Sequence, residues 1–291
     1  MLRLLVSVLC LSSWMCVAAN AASTEVSAGV SANAKVVAAG AGVTELILAL
    51  DAGSQLVAID ASSQAPADLS LTTLGYHRAL SAEGILALQP SVLIGTAEMG
   101  PKTTIDRVRA ARVNVVQLPI PTNYLSLLSN IDALGRLLSS ETQAQQLKIK
   151  LDRDFALLQQ KQQQVAPAAP KVLFMLMMPE RPARVGGKGS AGDVIINLAG
   201  GKNAADFEGY KSVSQEGILA LDADVIIVSV RDETPMDAKQ LLLQQMPLLQ
   251  HAKAVLQGSV YPINSHALIG GLGISSLQAA NELAEQLIDL N

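Results

Sequence analysis

The sequence predicts an α/β protein of two similar lobes with mainly parallel sheets, joined by one long interdomain helix, with a ligand cleft between the lobes. Three observations carry that prediction. First, Glu83-Gly84-Ile85-Leu86-Ala87-Leu88 returns verbatim as Glu216-Gly217-Ile218-Leu219-Ala220-Leu221. Ser81 and Ser214 stand two residues before the glutamates, Gly75-Tyr76 and Gly209-Tyr210 lie further upstream, and each copy runs on into an apolar stretch rich in β-branched residues. Such self-similarity marks a duplicated structural unit. Second, residues 34–60 read as strand, glycine turn, helix and strand, a βαβ unit whose strands run parallel. Third, residues 141–164 contain neither proline nor glycine and carry Leu147, Ile149, Leu151, Phe155 and Leu158 among mixed charges, the pattern of a long amphipathic helix.

The chain opens with a segment of a different kind. Arg3 is the only charge before Glu25, an apolar run follows from Leu4 to Val17, and Ala19-Asn20-Ala21 supplies a small-x-small cleavage site. Residues 1–21 therefore read as a secretory signal peptide, too short in its apolar run to span a bilayer comfortably. Both cysteines, Cys10 and Cys16, and the single tryptophan, Trp14, fall inside it. An exported chain without them depends on its apolar cores rather than on disulfide staples. Half of the 291 residues are hydrophobic, enough for two cores of roughly 100 residues each. The formal charge of −4 becomes −5 when Arg3 leaves with the leader, and no basic stripe appears, which argues against nucleic acid as a partner. The remaining sequence offers no membrane-spanning segment and is expected to act as a monomer in the periplasm.

Taken in order, residues 22–124 form the N-terminal lobe. A strand at 34–39 ends in Gly40-Ala41-Gly42, a helix runs from Val43 to Leu50, and a second strand covers 55–60. Gly40-x-Gly42 lacks the third glycine of a dinucleotide fingerprint and the chain holds no GK[ST] triplet, so the glycines serve the turn. The Gly75-Tyr76-His77-Arg78 turn, the first repeat helix, a strand at 92–95, a helix near 107–112 and a strand at 113–118 complete the lobe. Residues 125–166 read as helical linker, weakly interrupted at Gly135 and ended by Ala166-Pro167-Ala168-Ala169-Pro170. The C-terminal lobe, 167–291, repeats the plan. It has a strand at 171–177, a turn at Gly186-Gly187-Lys188-Gly189, a helix at 193–198, the second Gly-Tyr turn with its repeat helix and strand, and a helix near 238–242. A strand at 259–263, a glycine-rich turn and a closing helix at 275–290 end the chain.

Signal peptide, duplicated lobes and helical bridge together resemble the periplasmic binding proteins of the cobalamin, siderophore and heme importers, over nearly all of the mature chain. Around Leu74-Gly75-Tyr76-His77-Arg78-Ala79-Leu80-Ser81-Ala82-Glu83-Gly84, Ala199-Gly200-Gly201-Lys202-Asn203-Ala204 and Glu208-Gly209-Tyr210-Lys211 the likeness narrows to the hemin-binding subfamily, with its G-Y-x-R-x-L-S-x-E-G motif. The resemblance implies that the chain captures ferric heme and does no chemistry on it, with Tyr76 as the axial ligand to the iron. A phenolate is a hard anionic oxygen donor suited to ferric iron. Phenols titrate near pH 10, and a fixed positive charge at Arg78 would favour the ionised form. In an extended stretch Tyr76 and Arg78 point the same way, whereas His77, a further candidate toward the heme, faces away. Tyr210, the internal counterpart of Tyr76, is expected on the opposite wall. Met177 or Met178 is expected as an apolar wall against the porphyrin, since thioethers prefer reduced iron. His266 could reach the cleft or stand as a surface histidine, and Arg181, Arg184 and Lys188 are cations that could meet propionates or simply belong to a solvated loop.

Glu83 and Glu216 occupy equivalent first-turn positions, where the helix dipole mildly favours negative charge. The resemblance implies that they dock the receptor to arginines of an inner-membrane ABC permease, with Glu45 a lesser alternative in the first lobe. Other readings are a siderophore or cobalamin receptor, a metal-ion receptor, or an exported enzyme. The last has no nucleophile elbow, HExxH motif or histidine cluster to support it.

Overall fold

The computed structural model describes residues 33–178, 181–230 and 237–290; the segment read as a leader with its cleavage site lies outside these. The first lobe runs β1 (Val36–Ala39), α1 (Ala41–Ala49), β2 (Leu56–Ile59), β3 (Thr72–Thr73), α2 (Ala82–Ala87), β4 (Val92–Thr96), α3 (Lys102–Ala110) and β5 (Asn114–Leu118). Two helices follow, α4 (Tyr124–Leu138) and α5 (Glu141–Val165). The second lobe has β6 (Lys171–Met178), β7 (Arg181–Gly186), α6 (Ala191–Leu198), β8 (Lys202–Asn203), β9 (Tyr210–Lys211), α7 (Gln215–Ala220) and β10 (Val225–Val230). It ends with α8 (Ala238–Gln245), α9 (Lys253–Leu256), β11 (Val260–Asn264) and α10 (Ile274–Ile288).

The first sheet has the order β3-β2-β1-β4-β5, with every neighbouring pair parallel. Its order reverses between β1 and β4, which opens a crevice at the carboxyl ends of the strands. The second sheet is ordered β11-β10-β6-β7-β9 with β8 beside β6. The β6, β8, β10 and β11 pairings are parallel, and β7 adds antiparallel pairings to β6 and β9. That hairpin is an addition to the sequence reading, which placed a turn at Gly186-Gly187-Lys188-Gly189 and no strand before it; Pro182 and Gly186 weaken the strand pattern.

Alternation along the strands explains why both faces of each sheet are covered. Val36, Ala38, Val92 and Ile94 face one core, while Val37, Ala39 and Leu93 face another with Ile85, Ile105 and Val108. In β6, Val172 and Phe174 join the first of these cores, which continues through Leu151 and Leu158 of α5 and Leu283 and Leu287 of α10. One apolar core therefore runs through both lobes, and helices α5 and α10 are its spine. The buried positions of α5 are Ala144, Leu151, Leu158 and Val165, a seam recurring every two turns. Ile149, expected on the apolar face, is exposed because it falls off that seam.

The linker is two helices rather than one weakly broken helix. Gly135 sits inside α4, where a side chain would collide with Ala144 of α5. The break comes at Ser139, in the left-handed region at φ 57°, four residues later. Tyr124 then stacks on Phe155 with ring centres 4.1 Å apart and donates to Asp152 at 2.8 Å, fixing α4 against α5.

Candidate functional site

A cleft of about 490 Å³ lies between the lobes, within the range of small-molecule sites. Tyr76, His77, Arg78, Glu98 and the Ile120–Thr122 segment line it from the first lobe. Ser190, Val194, Ile195 and Tyr210 face them from the second, and Ala267 to Leu272 form the floor. The first-lobe residues follow the carboxyl ends of β3, β4 and β5, as the strand order requires. The floor meets the first lobe by close backbone contact. Leu272 N–H donates to the Pro121 carbonyl at 2.8 Å, and a side chain at Gly271, which has φ +87°, would overlap Pro121 and Ile120.

Tyr76 is presented by a turn, not by an extended stretch. Ala79 N–H donates to the Tyr76 carbonyl at 2.6 Å, and a side chain at Gly75 would strike the Ala79 carbonyl. The turn is clamped to the loop after β4 by Gly100 N–H to the His77 carbonyl at 2.9 Å and Leu80 N–H to the Gly100 carbonyl at 2.8 Å. Tyr76 keeps 37 % exposure at the cleft wall. The turn corrects the expectation for His77. Its ring does not face away but lies 4.1 Å, centre to centre, from that of Tyr76, tilted at 46°. It is only 2 % exposed, and both nitrogens are engaged. Arg78 Nε–H donates to Nε2 at 3.3 Å, so that nitrogen carries the lone pair and Nδ1 carries the proton. Nδ1 then donates to Ser62 Oγ at 3.1 Å, beside Asp60 Oδ2 at 3.5 Å. Arg78 also pairs with Glu98 at 2.5 Å and is thus no isolated charge beside the phenol.

The anchor of this arrangement is Asp60, which sequence reasoning passed over as the end of a strand. Its fully buried carboxylate accepts from Gly40 N–H at 2.8 Å, Ser62 N–H at 2.9 Å, His77 N–H at 3.1 Å, and the hydroxyls of Ser62 at 2.5 Å and Ser63 at 2.6 Å. Burial pushes its pKa up, but the bonds from His77, Ser62, Ser63 and Gly40 together outweigh burial and hold it far below the usual carboxylate range. Polar Asp60, Ser62 and Ser63 clustered just past a strand end were the available signal.

On the second wall Tyr210 lies in β9, opposite Gly186 of β7. Its ring meets Phe174 edge-on at 6.2 Å, and burial raises its pKa against the opposing bonds from Ala191 and Ser190 and the charge of Arg184. Met177 does not line the cleft. It is 2 % exposed within the far core, with Leu173 and Met175, because period-two alternation turns the odd positions of β6 away from the side carrying Phe174. His266 is also outside the cleft, in a neighbouring depression of about 200 Å³ with Glu45, Gln64 and Ser275, and its Nδ1 lies 2.9 Å from Asn264 Oδ1.

Glu83 and Glu216 are both exposed in the first turns of α2 and α7. Ser81 and Ser214 cap these helices identically, accepting from Gly84 N–H at 3.3 Å and Gly217 N–H at 3.1 Å. Glu45 is engaged elsewhere. Its carboxylate accepts from Ile274 N–H at 3.1 Å and Ser275 N–H at 2.9 Å, and from the Ser275 hydroxyl, so a side chain of α1 caps α10 across the lobes. Burial raises its pKa, partly offset by the bonds from Ser275 and Ile274. Among the described residues no group of three or more potential metal-ligating side chains is found, and no helix is long and apolar enough to cross a membrane.

Two lobes on a helical spine, a cleft at the strand ends and paired exposed glutamates define a two-lobed solute-binding protein. The chain belongs to the periplasmic binding protein family, which it matches over residues 36–267. The structure of the periplasmic heme-binding protein HutB of Vibrio cholerae is similar at 38 % identity, covering 88 % of this chain and 99 % of that one, with a TM-score of 0.78. A periplasmic heme-binding protein from Pseudomonas aeruginosa is similar at 32 % identity, covering 88 % and 92 %, with a TM-score of 0.80. The vitamin B12-binding protein of Yersinia pestis (strain Pestoides F) is 25 % identical over 67 % of this chain and 69 % of its own.

Proposed function

We propose that the protein is the periplasmic receptor of a heme importer, holding ferric heme in the interlobe cleft with the Tyr76 phenolate on the iron and releasing it unaltered to an inner-membrane ABC permease. The observation that carries this is the placing of Tyr76, whose ring stands half-open on the cleft wall in a turn that backbone bonds and the Asp60 network hold rigid. A pre-set phenol facing apolar Val194, Ile195 and Leu268 suits a flat, largely apolar cargo with one metal to be gripped. The similarity to heme-binding proteins of other bacteria supports the same cargo. His77 supports the turn from behind rather than ligating iron, since its Nε2 lone pair is occupied by Arg78. Glu83 and Glu216 are the docking anchors in this reading, and residues 1–21 direct export.

The test is an absorption titration of the purified protein with hemin. Wild type is expected to give a saturable spectrum of phenolate-ligated ferric heme, and Tyr76→Ala to lose it. Unchanged hemin uptake in Tyr76→Ala, or tight uptake of cobalamin instead, would overturn the reading.

A further inference from the structure

The second wall carries a cation that no carboxylate of the described residues neutralises. Alternation along β7 sends Ala183 and Val185 into the far core and leaves Arg184 on the face bearing Phe174 and Tyr210. The surrounding cations are disposed otherwise. Arg78 is paired with Glu98 and Lys188 with Asp206, and Lys211 lies over the Phe207 ring at 4.9 Å. Arg181 lies beyond the register shift in the β6–β7 pairing, opposite Met178. Arg184 instead donates from Nη2 to the Tyr210 carbonyl at 2.5 Å, with its guanidinium carbon 5.7 Å from the centre of the Tyr210 ring. That ring lines the cleft.

A guanidinium has five N–H donors in a rigid fork, and stacking on an aromatic face fixes its plane before any ligand arrives. We propose that Arg184 is the carboxylate anchor of the cleft, binding an acidic side group of the cargo at the second wall and so selecting an acidic macrocycle over a neutral one. The assignment rests on the heme reading and deepens it. The phenolate and the ferric porphyrin centre together cancel in charge, which leaves the propionates as the anionic part of the cargo. On the first wall Arg78 already has a carboxylate, whereas opposite it Arg184, beside the cleft-lining Tyr210, has none among the described residues. A macrocycle whose side groups are amides or esters offers nothing for this fork to pair with.

The experiment compares hemin with hemin dimethyl ester, titrated into wild type, Arg184→Gln and Arg184→Lys. Loss of a charge-assisted pair is expected to weaken hemin binding by about tenfold in Arg184→Gln, with ester binding unchanged. Arg184→Lys should keep part of the preference for the acid. Equal weakening of both ligands would make Arg184 a packing residue for Tyr210 and overturn the assignment, as would no change in either. If Tyr76→Ala abolishes the heme spectrum while Arg184→Gln preserves the wild-type hemin-to-ester ratio, the anchor fails and the heme reading stands. Wild type that takes up neither porphyrin overturns both.

Discussion

The two walls of the cleft descend from the same repeated unit yet are held in different ways. Behind Tyr76 stands a buried polar network, with Asp60 gathering donors from three loops and His77 passing the order on to Arg78. Behind Tyr210 stands close apolar packing. Phe174 is fully buried between Gly186 and Gly192, where added side chains would overlap its ring. A hydrogen-bonded wall fixes direction, because each bond has an angle to satisfy. A packed wall fixes shape, because cores tolerate neither voids nor excess volume. The repeat thus conserved its helices and caps while its two tyrosines came under different physics, one in a turn and one in an edge strand.

The sharpest way to break that contrast is to remove the anchor of the first wall. Asp60→Ala strands several buried donors and should cost about 3–5 kcal/mol in urea denaturation. The second wall, being packed, should fail by addition as well as by deletion. Gly192→Ala presses a methyl group into Phe174 and is expected to cost about 1–3 kcal/mol. Below these come the caps that the lobes share. Ser81→Ala and Ser214→Ala should each cost about 1 kcal/mol, and a clear inequality between them would show that the repeat has diverged further than its geometry suggests.

The subtlest contrast is in pH. Asp60 has a depressed pKa, so its contribution is complete at neutral pH and is lost as pH falls below about 4, and Asp60→Ala should flatten that limb. Glu45 has a raised pKa, so its burial opposes folding at neutral pH and stability returns as pH falls toward the ordinary glutamate range near pH 4.3. Glu45→Gln should remove that rise in a series of urea midpoints against pH, leaving the Asp60 limb intact.

What the sequence made legible follows from the range of each interaction. The repeated helices, the parallel βαβ start and α5 are local patterns, and their residues announce themselves within a few turns. The motif around Tyr76 was likewise readable, and the structure brings Tyr76, His77, Arg78 and Tyr210 to one cleft. The Asp60 network was not, because it joins common residues from separate loops and leaves no spacing to recognise. Met177 was misplaced since its neighbours in β6 are apolar on both faces, so composition alone could not say which face met the cleft. The β7 strand was hidden by Pro182 and Gly186, and with it the face on which Arg184 lies. His266 sits near enough in sequence to the floor to suggest the cleft, but the turn after β11 carries it to the neighbouring depression.

The Glu45 cap on α10 acts as a bolt driven through both halves of the molecule. With a common core beneath it, the two halves that carry Glu83 and Glu216 are tied through the protein's interior as well as along the chain.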